Sequence, residues 1–271
     1  VYAEVGQEST YPGGIRRAYE RGVRRVWVWD QGGGWGGPTV ANDLWVDVNL
    51  YALAKLAWNT RADPYLLARD WASQRLGPWA APRLARLLLR SEQAVLKAFY
   101  LEPYARIRGS WAPNVLWVRD DAIYGGARIV ELYRPLRQDS AKFRAALAEK
   151  AEAVALVEDM LADFREAMAF IPDRRQAQEA YNTLRYQRAL FQIFRYYLSG
   201  MFYYYRWTDG SRQDSAAQRQ ALENLRQWQE AWAIYQQEIA PLPGVASLFQ
   251  SQGMVETAHP ALLELEPTPA R

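Results

Sequence analysis

Residues 23–38 read VRRVWVWDQGGGWGGP, an apolar run followed by a cluster of glycines. The run is rich in β-branched and aromatic residues, which favour a strand, and the glycines end it in a loop. An earlier apolar run, Val1–Val5, ends at GQEST, and IRRAYERG between the two runs predicts a short helix that Gly22 terminates. Strands that alternate with helices pair in parallel, so residues 1–60 predict an α/β layer.

A helix ends the α/β part of the chain, and helical patterns continue after residue 60. Asn42 or Asp43 precedes the predicted helix LWVDVNLYALAKLAWN, and ADPYLLARDWASQRLG predicts a capped helix with Pro64 in its first turn and Gly77 at its end. Three long helices follow, over about residues 143–168, 173–207 and 213–239. The aromatic residues within 194–207 lie all round their helix, which predicts burial in a bundle or a subunit contact rather than a sugar platform.

Two parallel strands leave both edges of the sheet open and cannot bury their apolar faces alone. The chain also opens in a strand-like run without an initiator Met. We therefore expect a piece of a longer protein, or a partner chain that supplies the rest of the sheet.

Composition excludes several classes of site. Half of the 271 residues are hydrophobic, there is no cysteine, and the single histidine, His259, lies near the Pro-containing end. Disulfides, thiolate metal sites and a Ser-His-Asp triad are excluded, so we expect no metal and no cofactor. Basic and acidic residues alternate and no stretch reaches the about 20 apolar residues of a membrane span, which predicts no nucleic-acid or membrane partner. The compartment stays open between the cytoplasm and secretion.

Glu8 is the first candidate for chemistry. It lies where the first predicted strand ends and a βα loop begins, which is where barrel enzymes place catalytic residues. A carboxylate there is suited to act as a general base on water in glycoside hydrolysis. The alternative is a solvated or helix-capping glutamate, because strand-end carboxylates occur throughout α/β proteins.

Asp30 and Trp35 follow the second predicted strand. Trp35 stands between glycines, which lets the loop approach a ligand closely, and an indole ring matches the apolar face of a sugar. The loop lacks the Lys-Ser/Thr of a phosphate-binding loop and the spacing of a dinucleotide site. The alternative is a tight turn that packs over Trp35 and is held by hydrogen bonds from its amides to Asp30.

Three parts of the sequence together resemble the C-terminal end of the barrel in family 67 α-glucuronidases. They are the pair Gln7-Glu8, the pair Trp35-Gly36, and the helix pattern formed by Asn49, Tyr51, Ala52, Leu56, Ala57, Trp58 and Asn59. The resemblance implies that residues 1–60 are the last two β/α units of a (β/α)8 barrel. It further implies a helical, dimerising domain over 61–240, and we expect a loose tail over 241–271.

The resemblance also implies a reaction, the inverting removal of 4-O-methylglucuronic acid from xylo-oligosaccharides without metal or cofactor. Glu8 would activate water, whereas the general acid and the cations that bind the uronate come from strands outside this chain, so the chain alone is expected to be inactive. The residues after Glu8, Ser-Thr-Tyr-Pro, differ from the family. This difference leaves open a barrel glycosidase for another sugar, and a non-catalytic carbohydrate-binding or oligomerisation protein remains the further alternative.

Overall fold

The computed structural model describes residues 15–26, 44–99, 101, 126–245 and 252–266. These residues form nine α-helices: α1 (Ile15–Glu20), α2 (Leu44–Trp58), α3 (Pro64–Leu76), α4 (Ala81–Phe99), α5 (Gly126–Tyr133), α6 (Ser140–Ala167), α7 (Arg174–Asp209), α8 (Ser215–Ile234) and α9 (Gln252–Leu265). A 3-10 turn, Met168–Phe170, follows α6, and a π-helical turn, Tyr235–Ile239, extends α8. None of the described helices combines the length and the apolar character that crossing a membrane requires.

The predicted α/β class, with the last two units of a (β/α)8 barrel, is wrong, because the described residues are helical and contain no β-strand. Residues 23–26 belong to the second predicted strand but have no ladder partner among them, and Val23 and Val26 are each 46% exposed. A β-branched side chain favours a strand only where it packs against a neighbouring strand. The first predicted strand, residues 1–5, lies outside the described part of the chain.

Aspartates begin four of the helices. In each case the carboxylate accepts a backbone N–H of the first turn, which satisfies a group that has no partner inside the helix. These caps are Asp63, Asp139, Asp173 and Asp214. The backbone N–H of Lys142 and that of Ala217 lower the pKa of Asp139 and of Asp214, respectively. The predicted start of α3 at Pro64 and its end before Gly77 are confirmed.

The helices enclose two hydrophobic cores. The N-terminal core takes buried residues from α2, α3, α4, the second half of α6 and the first half of α7. The C-terminal core takes them from α5, the start of α6, the second half of α7, α8 and α9. The two long helices α6 and α7 are thus antiparallel and contribute to both cores. The predicted division of the chain at residues 60 and 240 stays a prediction.

The contact between α7 and α8 is the most extensive in the bundle, and Gly200 lies in it. A Cβ atom built on Gly200 would lie 2.6 Å from the Leu225 side chain and 3.2 Å from the Leu225 backbone nitrogen. Only a residue without a side chain allows the two helices to approach this closely.

The predicted burial of the aromatic residues is confirmed for the middle of α7 and α8. Phe194, Tyr197 and Phe202 are buried, and Trp228 of α8 packs against Tyr197 with ring centroids 6.2 Å apart. Trp232 is half-buried and stacks on Tyr235 at 5.2 Å. These rings therefore belong to the C-terminal core. The predicted dimer contact stays a prediction.

The expected loose tail is instead partly helical. Met254, Ala258 and Leu265 of α9 are buried in the C-terminal core, and the His259 ring meets the Trp228 ring edge-on at 5.9 Å. Small and apolar residues recur along α9 at three- and four-residue spacing, which places them on one face of the helix. That face has a surface to pack against only once α7 and α8 are in place.

Lys150 of α6 is a buried cation in the interior of the bundle. Its Nζ donates a hydrogen bond to the carbonyl oxygen of Lys97 at the end of α4 and lies 3.5 Å from a carboxylate oxygen of Glu149. Burial lowers the pKa of Lys150 to about 8, against the opposing effect of the Glu149 carboxylate. The lysine thus joins α6 to the C-terminal end of α4, where helix carbonyls lack partners.

Gly200→Ala should destabilise the protein by about 1–3 kcal/mol, because the added methyl group overpacks the contact between α7 and α8. Gly210→Ala is the control, since a Cβ there meets nothing closer than 3.3 Å. Chemical denaturation of both variants measures the difference. If both variants lose equally little stability, the close approach at Leu225 is not a constraint.

Lys150→Met should alter the pH dependence of stability. The folded lysine loses its proton near pH 8 and the unfolded one near pH 10.5, so between these values the unfolded chain binds more protons. The free energy of unfolding of the wild type should therefore rise with pH relative to that of Lys150→Met over this window. Lys142→Met, at a half-exposed lysine of α6, should keep the wild-type rise. Parallel curves for wild type and Lys150→Met would contradict the burial of a titrating amine.

Candidate functional site

The three predicted site residues, Glu8, Asp30 and Trp35, lie outside the described residues. Their meeting in one pocket, and the position of Gln7 and Gly36 beside them, stay predictions. The structure describes the third part of the resemblance, the residues from Asn49 to Asn59, most of which lie on α2.

The residues of this pattern that lie on α2 differ in their surroundings: some are in the core, one lines a cavity and one is exposed to solvent. Ala52 and Leu56 are buried, whereas the Trp58 ring at the end of the helix is 94% exposed. Asn49 lines a cavity on the core side of the helix. The helical spacing of the pattern therefore has a structural basis, because the four-residue step from Ala52 to Leu56 keeps one face against the core.

A set of hydrogen bonds fixes α2 to α3 through Asp47. One carboxylate oxygen of Asp47 accepts hydrogen bonds from the indole Nε1 of Trp71 at 2.8 Å and from the Arg75 Nε at 2.9 Å, and the other accepts one from the Arg75 Nη2 at 3.0 Å. Trp71 is 1% exposed, so its N–H would have no access to water without Asp47. The bidentate contact with Arg75 also fixes the orientation of the Asp47 carboxylate.

Tyr51 makes a second connection between the same helices. Its hydroxyl donates to the Asp70 carboxylate, which also accepts from the Gln74 side chain at 3.1 Å. Burial, together with Asp70, raises the pKa of Tyr51 to about 12, and the hydrogen bond from Tyr51 lowers the pKa of Asp70. Tyr51 therefore stays protonated near neutral pH and acts as a hydrogen-bond donor, not as a base.

A cavity of about 280 Å³ lies between α2, α4, α6 and α7. Apolar side chains form most of its wall, and Leu87, Met160 and Phe191 among them are buried. Asn49 and Gln187 add amide groups. Cavities with apolar walls and a few polar groups are the usual form of small-molecule sites.

A second, polar recess lies where α5, α7 and α8 meet. Tyr133, Arg206, Asp209 and Asp214 are among its lining residues, and its volume is about 500 Å³. Arg206 pairs with Asp214 at 3.4 Å, and Asp214 also caps α8. Burial, with Asp209, raises the pKa of Tyr133 to about 12, while the backbone N–H of Ala217 lowers that of Asp214. Asp214 is thus held ionised as a cap, which does not suit a proton donor.

Sequence reasoning missed the cavity and the contacts of Asp47. The partners of Asp47 are 24 and 28 residues away, and the cavity walls come from four separate helices. A local sequence pattern does not show which residues far apart in the chain are in contact. The sequence predicted α3 as a capped helix but gave no partner for Trp71.

Asp47→Ala should destabilise the protein by about 1–3 kcal/mol, because it leaves the buried indole N–H of Trp71 without an acceptor. The lost pair with Arg75 should add little, since that guanidinium is more than half exposed. Asp159→Ala, at an exposed aspartate of α6, should stay within about 0.5 kcal/mol of wild type. Thermal denaturation compares the stability of the two variants. An equally small loss in both would contradict the anchoring of α2 by Asp47.

Comparisons with known proteins were made at three levels. No protein-family model, no curated protein and no solved structure matches the chain. The resemblance to family 67 α-glucuronidases therefore rests on the quoted residues alone, and the function is argued from those residues and from the geometry of α2.

Proposed function

We propose that this chain is part of a glycoside hydrolase similar to the α-glucuronidases, which removes (4-O-methyl)glucuronic acid from xylo-oligosaccharides with inversion. The observation that carries the proposal is the anchoring of α2. This helix bears the third part of the resemblance and begins at Leu44, nine residues after Trp35. Asp47 and Tyr51 fix it to α3 by hydrogen bonds.

Rigid anchoring matters for this chemistry. A general base must stay within about 0.5 Å of its productive position, and elements locked by packing and hydrogen bonds provide that precision. In the proposal Glu8 activates the water, while Asp30 and Trp35 contact the sugar. Helices α2 and α3 form the fixed part of the chain that follows these three residues.

An inverting reaction needs a second carboxyl group that protonates the leaving oxygen. Several aspartates of the helices already have structural partners: Asp47 binds Trp71 and Arg75, and Asp63 caps α3. Asp214 caps α8 and pairs with Arg206. As the resemblance implies, the proposal assigns the general acid to polypeptide outside this chain.

Two exposed tryptophans favour a second candidate, a non-catalytic carbohydrate-binding or oligomerisation protein. Trp58 is 94% exposed at the end of α2, and Trp79 is 80% exposed in the turn between α3 and α4. Tryptophan is enriched at the centres of protein interfaces, and its ring also stacks on sugars. This candidate needs no catalytic carboxylate.

Glu8→Gln, made in the complete protein that contains this chain, should lower kcat by at least about 10²-fold on aldouronic oligosaccharides, because the amide cannot take a proton from water. KM should change little, since the base acts mainly in the transition state. Release of the free uronic acid measures the rate. Glu20→Gln, at the exposed end of α1, is the matched control and should keep wild-type activity.

The isolated 271-residue chain should release no uronic acid above the buffer rate, because the proposal assigns the second carboxyl group of the mechanism to polypeptide outside this chain. Turnover by this chain would contradict the assignment of the acid to another segment. Wild-type kcat in Glu8→Gln would remove the catalytic assignment and leave the binding or oligomerisation protein as the better account of Trp58 and Trp79.

A further inference from the structure

The cavity between α2, α4, α6 and α7 is open to solvent on one side and buried on the other. It measures about 280 Å³, and Leu87, Met160 and Phe191 in its wall are almost completely buried. Protein interiors are otherwise close-packed, with few voids larger than a water molecule. Small-molecule sites begin at about 300 Å³. At about 280 Å³ the cavity lies just below that range and well above the about 30 Å³ that one water occupies.

The described part of the wall carries no formal charge. None of the described side chains that line the cavity is Asp, Glu, Lys, Arg or His. The two aliphatic hydroxyls of the wall already have hydrogen-bond acceptors. Ser91 donates to the carbonyl oxygen of Leu88 at 2.6 Å, and the Thr183 hydroxyl donates to the carbonyl oxygen of Gly244 at 3.0 Å. A charged ligand would lose its hydration without gaining a partner. The occupant that matches this wall is uncharged.

Two amides supply the polar contacts. Asn49 is exposed on α2 and marks the side open to solvent, and Gln187 of α7 is half-buried. Within the described residues no hydrogen bond engages the Gln187 side chain. An amide offers both a donor and an acceptor, which suits one hydroxyl or amide group of a ligand.

We infer that this cavity binds a neutral small molecule with an apolar body and one hydroxyl or amide group, held by Gln187. A cavity of about 150 Å³ accommodates benzene, so twice that volume suits a bicyclic body. An oligosaccharide does not fit, because its many hydroxyls would face apolar walls without partners. The site is independent of the proposed glycosidase reaction and goes beyond it.

1-Naphthol and 1-naphthoate test the inference, because they share a bicyclic ring and differ in charge. In calorimetric titrations of the full chain, 1-naphthol should bind at least about tenfold more tightly than 1-naphthoate, since the wall offers no cation. Bound 1-naphthol should also raise the Tm. No binding of 1-naphthol, or equal binding of both compounds, would overturn the inference. Neither measurement depends on uronic acid release, so it can fail while the glycosidase proposal holds.

Ser91→Phe places a ring in the cavity and should abolish 1-naphthol binding while the Tm stays at or above that of wild type. Gln93→Phe puts the same ring on the exposed face of α4 and should bind as wild type does. Retained binding in folded Ser91→Phe would show that the compound binds elsewhere. Gln187→Leu provides an independent test should Ser91→Phe not fold. It should weaken 1-naphthol at least about fivefold, as expected for one lost hydrogen bond, and unchanged affinity would refute the role of Gln187.

Discussion

The antiparallel contact between α6 and α7 is the interaction on which the rest of the described structure depends. Both helices contribute to each hydrophobic core, and none of the other described helices does. Two neighbouring buried residues of α7, Ala189 and Phe191, belong to different cores, so the helix forms a shared wall between them. A helix of 36 residues is about 54 Å long, which lets one element reach both cores. Each core closes only when this pair is in place.

The remaining helices pack on the pair according to the side chains that α6 and α7 present. Where Gly200 removes the side chain, α8 lies directly against the backbone of α7, and the buried face of α9 then packs into the same core. On the other half, α4 packs along α6, and the buried amine of Lys150 meets the carbonyl of Lys97. The cavity between α2, α4, α6 and α7 also lies on this half.

Polar contacts in this bundle position helices more than they add stability. Asp47 joins Trp71 and Arg75, and Tyr51 joins Asp70, so α2 has one defined orientation on α3. A hydrogen bond contributes only about 1 kcal/mol net, but breaking a buried one costs more, and this asymmetry selects a single arrangement. The candidate residues Glu8, Asp30 and Trp35 precede this fixed helix in the chain.

The sequence by itself determined the long helices, their aspartate caps and the burial of the aromatic residues of α7, because helical periodicity and capping are local properties. The strand predicted at residues 23–26 from their β-branched side chains is wrong. Strand formation depends on a neighbouring strand, which the local sequence does not specify. The sequence also misled at α9, whose inner face becomes buried only against α7 and α8. Tertiary structure alone decided the cavity and the contacts of Asp47 and Lys150. Trp71 lies 24 positions after Asp47 and Lys150 lies 53 positions after Lys97, and only packing brings such residues together.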